Sequence, residues 1–260
     1  MLKEHRYLSE PLSPEEAKRR MFARSRRGFL VGGAAALLGV FGWRWMPDET
    51  KANLLRRTFE FNERVSQIFY SPRRLAPQFP ETSVTIPARV NGGEGLEEEI
   101  DLSAWRLSVG GLAGLTQDLV LTLDDIRALP RTEMTTELKC IEGWSVIVHW
   151  AGVRFSDLVA KYAPGIEPQD LPPYVAMTTP DEKYFVGWDI QSILHPQTLL
   201  AYEMNGTPLA LEHGAPLRLA SPTKYGIKQI KRIGRIEFTG ERPRDFWAQP
   251  EYGYDWYSGH

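Results

Sequence analysis

Lys139-Cys140-Ile141-Glu142-Gly143-Trp144-Ser145 holds the single cysteine of a 260-residue chain. One thiol closes no intramolecular disulfide, and it cannot supply the two or more sulfurs of a Cys-rich zinc site. No CxxCH occurs, so c-type haem attachment is excluded. Three roles remain open: a buried apolar residue, as free Cys often is; a nucleophile; or one thiolate ligand to a cofactor.

The flanks of this heptapeptide set the fold class. TTELK (135–139) reads as a strand leading to Cys140, SVIVHWAGV (145–153) as a second strand and Phe155–Tyr162 as a helix. Upstream, WRLSVGG from Trp105 and LVLTL from Leu119 read as short strands. Leu123–Leu129 reads as a short helix with Asp124 or Asp125 near its start. Downstream come the strands YVAMTT (174–179) and YFVGWDI (184–190). TLLAYEMNGTPLA (198–210) holds a strand and a turn at Asn205-Gly206, and PLRLASP with IKQIKRIGRIEFTG completes a β-rich core. Short strands at close spacing with brief helices indicate α+β rather than βαβ. There is no internal repeat, Walker loop or GxGxxG. His149 reads as a structural residue on its strand and His195 as a turn residue. The aromatic clusters at 246–247 and 252–257 read as packing or as a substrate mouth.

Composition is that of an ordinary globular protein, with 42% hydrophobic and 25% charged residues. Charge is unevenly placed: residues 1–57 carry 12 Lys/Arg and 6 Asp/Glu, the remainder 19 and 27. An acidic body argues against a nucleic-acid partner. The basic head is sharply divided, Arg-rich before Gly28 and uncharged from Gly28 to Trp43. Ser25-Arg26-Arg27-Gly28-Phe29-Leu30 resembles the twin-arginine export signal. That resemblance implies a protein that folds before export and works in the periplasm. No A-x-A cleavage site follows, and the apolar run of 16 residues is slightly short of the roughly 20 that span a bilayer. Residues 1–47 are therefore a removed signal or an N-terminal membrane anchor, with Lys18–Arg27 on the cytoplasmic side. A thiol in an oxidising compartment survives where it is shielded or bound. Residues 48–90 form a linker and lead-in segment, helical from Asp48 to Tyr70 and then broken by Pro72, Pro77 and Pro80. The domain proper is expected over 91–260, with NGGEGLEEEI (91–100) as a solvated surface loop.

CIEGWS, followed by a strand and GVRFSDLV, resembles the cysteine segment of the sulfite oxidase fold of molybdopterin enzymes. The nearest branch is the bacterial periplasmic protein-methionine-sulfoxide reductase catalytic subunits, whose segment reads Cys-Val-Glu-Ala-Trp. The likeness continues through HPQTLLAYEMNGTPLALEHGAPLRLASPTKYGIKQIKRIGRIEFTGERP and spans about residues 58–260. It implies a sulfite oxidase-like molybdopterin-binding fold with mixed β-sheets or a barrel and short helices. It also implies a molybdopterin cofactor whose molybdenum takes Cys140 as its protein thiolate. Thiolates suit soft, redox-active metals, and one suffices because the pterin dithiolene brings two sulfurs. Position by position, the resemblance places His213 and Arg218 on the pterin, and Gln229, Ile230 and Lys231 at its phosphate end. It also implies that Thr179 and Asn62, the latter in EFNERV, contact the cofactor. Arg forks onto phosphate and Lys adds a point charge. The Lys224–Lys231 stretch is expected to be rich in donors at a turn.

The resemblance implies oxygen-atom or two-electron transfer at molybdenum. Sulfite oxidases follow their cysteine with an Arg-rich segment, whereas Ile141–Ser145 contains no Arg. The expected substrate is a small-molecule or protein sulfoxide. A monomeric catalytic subunit is expected, since the chain leaves no room for the sulfite oxidases' immunoglobulin-like dimerisation domain. With no haem of its own, its expected electron source is a membrane cytochrome or similar partner. The alternatives are a sulfite oxidase-type enzyme, a non-catalytic membrane-tethered binding module that has kept the cofactor cleft, and a Cys140 nucleophile served by His149.

Overall fold

The structure, a computed structural model, describes residues 42–71, 73–90, 92–112 and 114–259, Gln67 by its backbone alone. The twin-arginine motif and most of the apolar run lie outside the described residues. The chain divides into two compact units, residues 1–55 and 56–260, each taken by itself below. Helix α1 (Asp48–Phe69) begins in the first and continues into the second. Its first turn carries Asp48 and Glu49, acids that favour a helix N-terminus.

The second unit follows the short-element pattern expected of an α+β chain. In order it runs β1 (Leu107–Gly110), β2 (Leu119–Leu121), α2 (Leu123–Arg127), β3 (Arg131–Lys139) and β4 (Ser145–Arg154), then α3 (Phe155–Tyr162) and β5 (Tyr174–Thr178). It continues with β6 (Phe185–Asp189), α4 (Ile190–Ile193), β7 (Leu199–Met204), β8 (Thr207–Pro208), β9 (Arg218–Ala220) and β10 (Arg235–Thr239). One sheet has the order β2-β1-β10-β5-β6, with β1 and β10 parallel and the other neighbours antiparallel. The other has the order β3-β4-β7-β8, with β9 against β7. The sheets are mixed, as expected, but both are open, so the barrel alternative is corrected to two five-stranded sheets.

Burial follows the residue pattern. β5 and β10 alternate buried and half-buried positions, and their inward side chains Val175, Met177, Ile236 and Phe238 enter the main core. Leu200, Tyr202 and Leu219 of the second sheet, and Leu217 just before β9, belong to the same core. That sheet has a second cluster, containing Met134, Val148, Trp150, Leu199 and Ala201. β7 is therefore buried nearly throughout, which its Leu-Leu-Ala-Tyr run requires. Helix α2 is closed by a capping box in which Thr122 and Asp125 satisfy each other's backbone N–H groups.

Two expectations change here. IKQIKRIGRIEFTG is a strand only over Arg235–Thr239; Gly226–Lys228 is a 3-10 turn. That turn is held from within by two buried lysines. Lys228 Nζ donates to Asp245 Oδ2 at 2.5 Å and to the Trp256 carbonyl at 2.7 Å. Lys224 Nζ donates to Asp189 Oδ2 at 3.1 Å and to the Tyr257 carbonyl at 2.9 Å. These amines fasten segment 245–257 to the domain. Segment 91–100 is also not wholly a solvated loop. Gly95 is buried at φ +73°, and a Cβ there would lie 2.6 Å from Thr179 Cγ2. This close approach needs glycine.

Candidate active site

The β3–β4 ladder ends at the pair Lys139–Ser145, and residues 140–144 form its tip. The Cys140 N–H donates to the Trp144 carbonyl at 2.9 Å, and the Gly143 N–H to the Cys140 carbonyl at 3.1 Å. Gly143 takes φ +86°, which lets the chain reverse there. The thiol is half-buried at this tip. Burial, as the largest influence, pushes its pKa up from the ordinary thiol value. His149 pairs with Thr135, four ladder positions from Lys139, or about 13 Å along the strand. Its Nδ1 lies 2.9 Å from Thr135 Oγ1. The Cys140–His149 nucleophile is therefore corrected: the register keeps the imidazole away, and nothing lowers the thiol pKa enough to activate it.

Cys140, Ile141 and Glu142 form one wall of a cavity of about 160 Å³. Gly226, Ile227, Gln229 and Lys231 form a second, and Tyr184, Trp247 and Tyr254 a third. The fourth comes from Val90, Gly92 and Glu94, which the sequence reading did not assign to the site. The signal available for them was glycine at 92, 93 and 95, a spacing suited to a backbone crossing close over other groups. Glu142 is oriented by the Trp144 indole, whose Nε1 donates to Glu142 Oε2 at 2.8 Å. The Arg89 guanidinium stacks over Trp144 and lies 3.8 Å from the same carboxylate.

The sequence-based candidates separate into two groups. Arg218, the first residue of β9, is fully buried. Its Nη1 donates to the His213 carbonyl at 2.9 Å, its Nη2 lies 3.4 Å from the Gln229 carbonyl, and its guanidinium covers Trp150. Lys231 Nζ donates to the carbonyls of Gly92 at 2.7 Å and Glu212 at 2.9 Å. Among the described residues neither cation makes an ion pair with a carboxylate. Desolvation brings Arg218 down to about 10. Desolvation first, then repulsion from Arg218, brings Lys231 down to about 7. His213 is half-buried, and burial first, then Arg218, lowers its pKa. Gly214, at φ +100°, sets Lys231 in place: a Cβ there would lie 2.6 Å from the Lys231 Cβ. Gln229 lies on the cavity wall, with its side-chain amide spent on the Ser221 and Lys224 carbonyls.

Others stand further back. The Ile230 side chain belongs to the main core, so its backbone is what a ligand can reach. Thr179 is buried beneath Gly95, accepting from the Tyr184 N–H and donating to Asp181 Oδ1 at 2.5 Å. It supports the cavity through Tyr184 and is not itself on the wall. Asn62 is exposed on α1 and is not brought to this cavity; its neighbour Glu63 turns inward to Arg242 at 2.6 Å. The early segment on the wall is Val90–Glu94. Lys224 and Lys228, expected among the turn donors, are occupied by Asp189 and Asp245.

The donor set suits a metal-bearing anionic cofactor. Among the described residues no group of three or more His, Cys, Asp or Glu could hold a metal. A metal at Cys140 thus needs its remaining ligands from a cofactor. Two buried cations without acid partners are costly alone and are compensated by an anion.

Residues 94–247 match the family described as oxidoreductase molybdopterin binding domain. The chain belongs to this family and is a molybdenum-dependent oxidoreductase with the sulfite oxidase-like fold. A protein of Azospira oryzae, provisionally named protein-methionine-sulfoxide reductase subunit YedZ1, is 33% identical over 90% of this chain and 88% of its own. The protein-methionine-sulfoxide reductase catalytic subunit MsrP of Campylobacter jejuni is 30% identical over 89% of this chain and 80% of its own. The sulfane dehydrogenase SoxCD of Paracoccus pantotrophus, a solved structure, aligns with a TM-score of 0.49 at 23% identity, over 56% of this chain and 40% of that one.

Arg218 gives a two-sided expectation. Arg218→Met removes an unpaired buried cation, so the cofactor-free chain is expected to be at least as stable as wild type in urea. A charge-assisted hydrogen bond to an anion contributes about 1.5–3 kcal/mol, so pterin retention is expected to fall on the order of tenfold or more. Pterin fluorescence after oxidative release checks this. Wild-type occupancy would return Arg218 to a structural role.

Proposed function

We propose that this enzyme is an exported molybdopterin-dependent reductase of neutral sulfoxides, including methionine sulfoxide in peptides or proteins. The supporting observation is the lining of the cavity: Glu94 and Glu142 outnumber its one cation, Lys231, beside three aromatic side chains and no arginine. With Lys231 assigned to the cofactor, the two carboxylates disfavour an anion such as sulfite, whereas a sulfoxide carries no charge and offers apolar substituents. Sulfur also makes favourable contacts with aromatic rings. The names of the MsrP relatives support the same reading.

In this proposal Cys140 holds the metal, and Arg218 and Lys231 bind the anionic end of the cofactor, with His213 and the 229–230 backbone around the pterin and Thr179 supporting that wall from beneath through Tyr184. The bound cofactor supplies a two-electron couple and an acceptor for oxygen. The rest falls to the chain. Tyr184, Trp247 and Tyr254 exclude water and face the organic part of the substrate. Glu142, fixed by Trp144 through Oε2, has Oε1 left to carry a proton towards the departing oxygen. The balance is one sulfoxide, two electrons and two protons to one sulfide and one water. Electrons come from a membrane cytochrome or comparable partner, and the subunit acts as a monomer.

Purified holoenzyme is expected to reduce methionine sulfoxide with a reduced viologen dye and to oxidise sulfite poorly with ferricyanide. Faster sulfite oxidation would favour the sulfite oxidase alternative. Molybdenum-loaded protein inactive in both assays would favour the binding module. Export by the twin-arginine route over residues 18–46 is part of the same proposal, with 1–47 as signal or anchor and 48–90 as lead-in. Arg26→Lys with Arg27→Lys is expected to strand folded protein in the cytoplasm, and fractionation with immunoblotting checks it. Normal export would point to another route.

A further inference from the structure

We propose that the second half of α1 and the segment after it form a lipid-contact surface that seats the domain on an anionic bilayer. The proposal is independent of the chemistry at Cys140.

Four large apolar side chains stand out of this stretch into solvent: Phe61 at 65%, Ile68 at 76%, Phe69 at 72% and Leu75 at 56% exposure. Phe61 and Ile68 are seven residues apart and Phe69 follows, so the three share one helix face. The opposite side of the segment is fastened to the domain. Glu63 pairs with Arg242, Tyr70 Oη donates to the Gln191 carbonyl at 2.7 Å, and Ala76 exchanges two hydrogen bonds with the Gln197 side chain. The apolar face is thus presented by an anchored element.

Charge selects the occupant. Residues 56–77 contain five Arg and two Glu, while residues 78–260 contain 16 Lys/Arg and 25 Asp/Glu. The apolar face is therefore carried by the basic part of an acidic domain. Arg56, Arg57, Arg64, Arg73 and Arg74 are all exposed, and among the described residues none is in an ion pair. Apolar side chains flanked by exposed guanidinium groups suit the boundary between acyl chains and anionic headgroups. In the sequence, the uncharged run Gly28–Trp43 ends 18 residues before Phe61. Among the described residues no helix is long and apolar enough to cross a membrane; the contact proposed is one in the membrane plane.

Photocrosslinking tests this on the full chain in vesicles of phosphatidylethanolamine with about one third phosphatidylglycerol. A benzoylphenylalanine replaces Phe61, Ile68 or Phe69, with Val120, 66% exposed on β2 in the other part of the domain, as control. Each chain is used once its urea midpoint matches wild type. Phospholipid adducts are expected at the three helix positions well above Val120. They are expected to fall at least severalfold in Arg64→Gln/Arg73→Gln/Arg74→Gln or at high salt. Lipid adducts no more abundant than at Val120 would overturn the proposal. So would adducts to another protein, to a second copy or to residues 1–41, each of which would identify a different occupant.

Discussion

Cys140→Ser is expected to abolish sulfoxide reduction while leaving the chain folded and its pterin largely retained. A hydroxyl is a poor ligand for a soft metal, so in the proposed site molybdenum would lose its one protein donor. The proposed contacts of Arg218 and Lys231 with the anionic end of the cofactor, on other elements, would remain. Cys140 is half-buried at a hairpin tip and outside the core clusters, so the stability change is expected to stay within about 1 kcal/mol. Activity, metal content and pterin content are measured on one preparation. A fully active Cys140→Ser chain would remove the cysteine from the metal. Loss of pterin and fold together would make Cys140 a packing residue.

Asp245→Asn is expected to give the largest stability loss of any single change considered. Lys228 and Asp245 are both within 1% of full burial, and Asp245 also accepts from the Gly187 N–H. Removing one charge strands the other, a change that costs about 3–5 kcal/mol in buried pairs. With a urea m-value of about 3 kcal/mol/M, the midpoint falls by about 1 M or more. Asp245→Leu combined with Lys228→Met removes both charges and is expected to recover most of the loss. A single substitution within about 0.5 kcal/mol of wild type would mean that water reaches the pair.

Legibility in the sequence followed the range of the physics. Strands β4 and β5 and helices α1 and α3 were readable because alternation, helical period and proline breaks act over a few residues. The Asn205-Gly206 turn was readable for the same reason, and both residues take positive φ. The cysteine segment and the Arg218–Lys231 stretch were readable by family resemblance, and the structure places Lys231 on the same cavity as Cys140. Long-range pairing was not readable. Nothing local in KYGIKQIK says that Lys224 and Lys228 turn inward to Asp189 and Asp245 while Lys231 faces the cavity. Nothing local in NGGEG says that a Gly- and Glu-rich loop crosses the site with Gly92 under Lys231. Asn62 was chosen by a short sequence match, and a helix turn carries it to solvent beside the inward-facing Glu63.

The two inward lysines also act as a clasp on the cavity. Segment 245–257, which they hold, brings Trp247 and Tyr254 to its wall beside Tyr184. Freed of those bonds, the segment would take two of the three aromatic side chains with it, leaving Tyr184, Cys140 and Lys231 where they are. One buried pair thus sets both how firmly the chain folds and how tightly the mouth is walled, so loosening Asp245 would widen the entrance before it touched the cysteine.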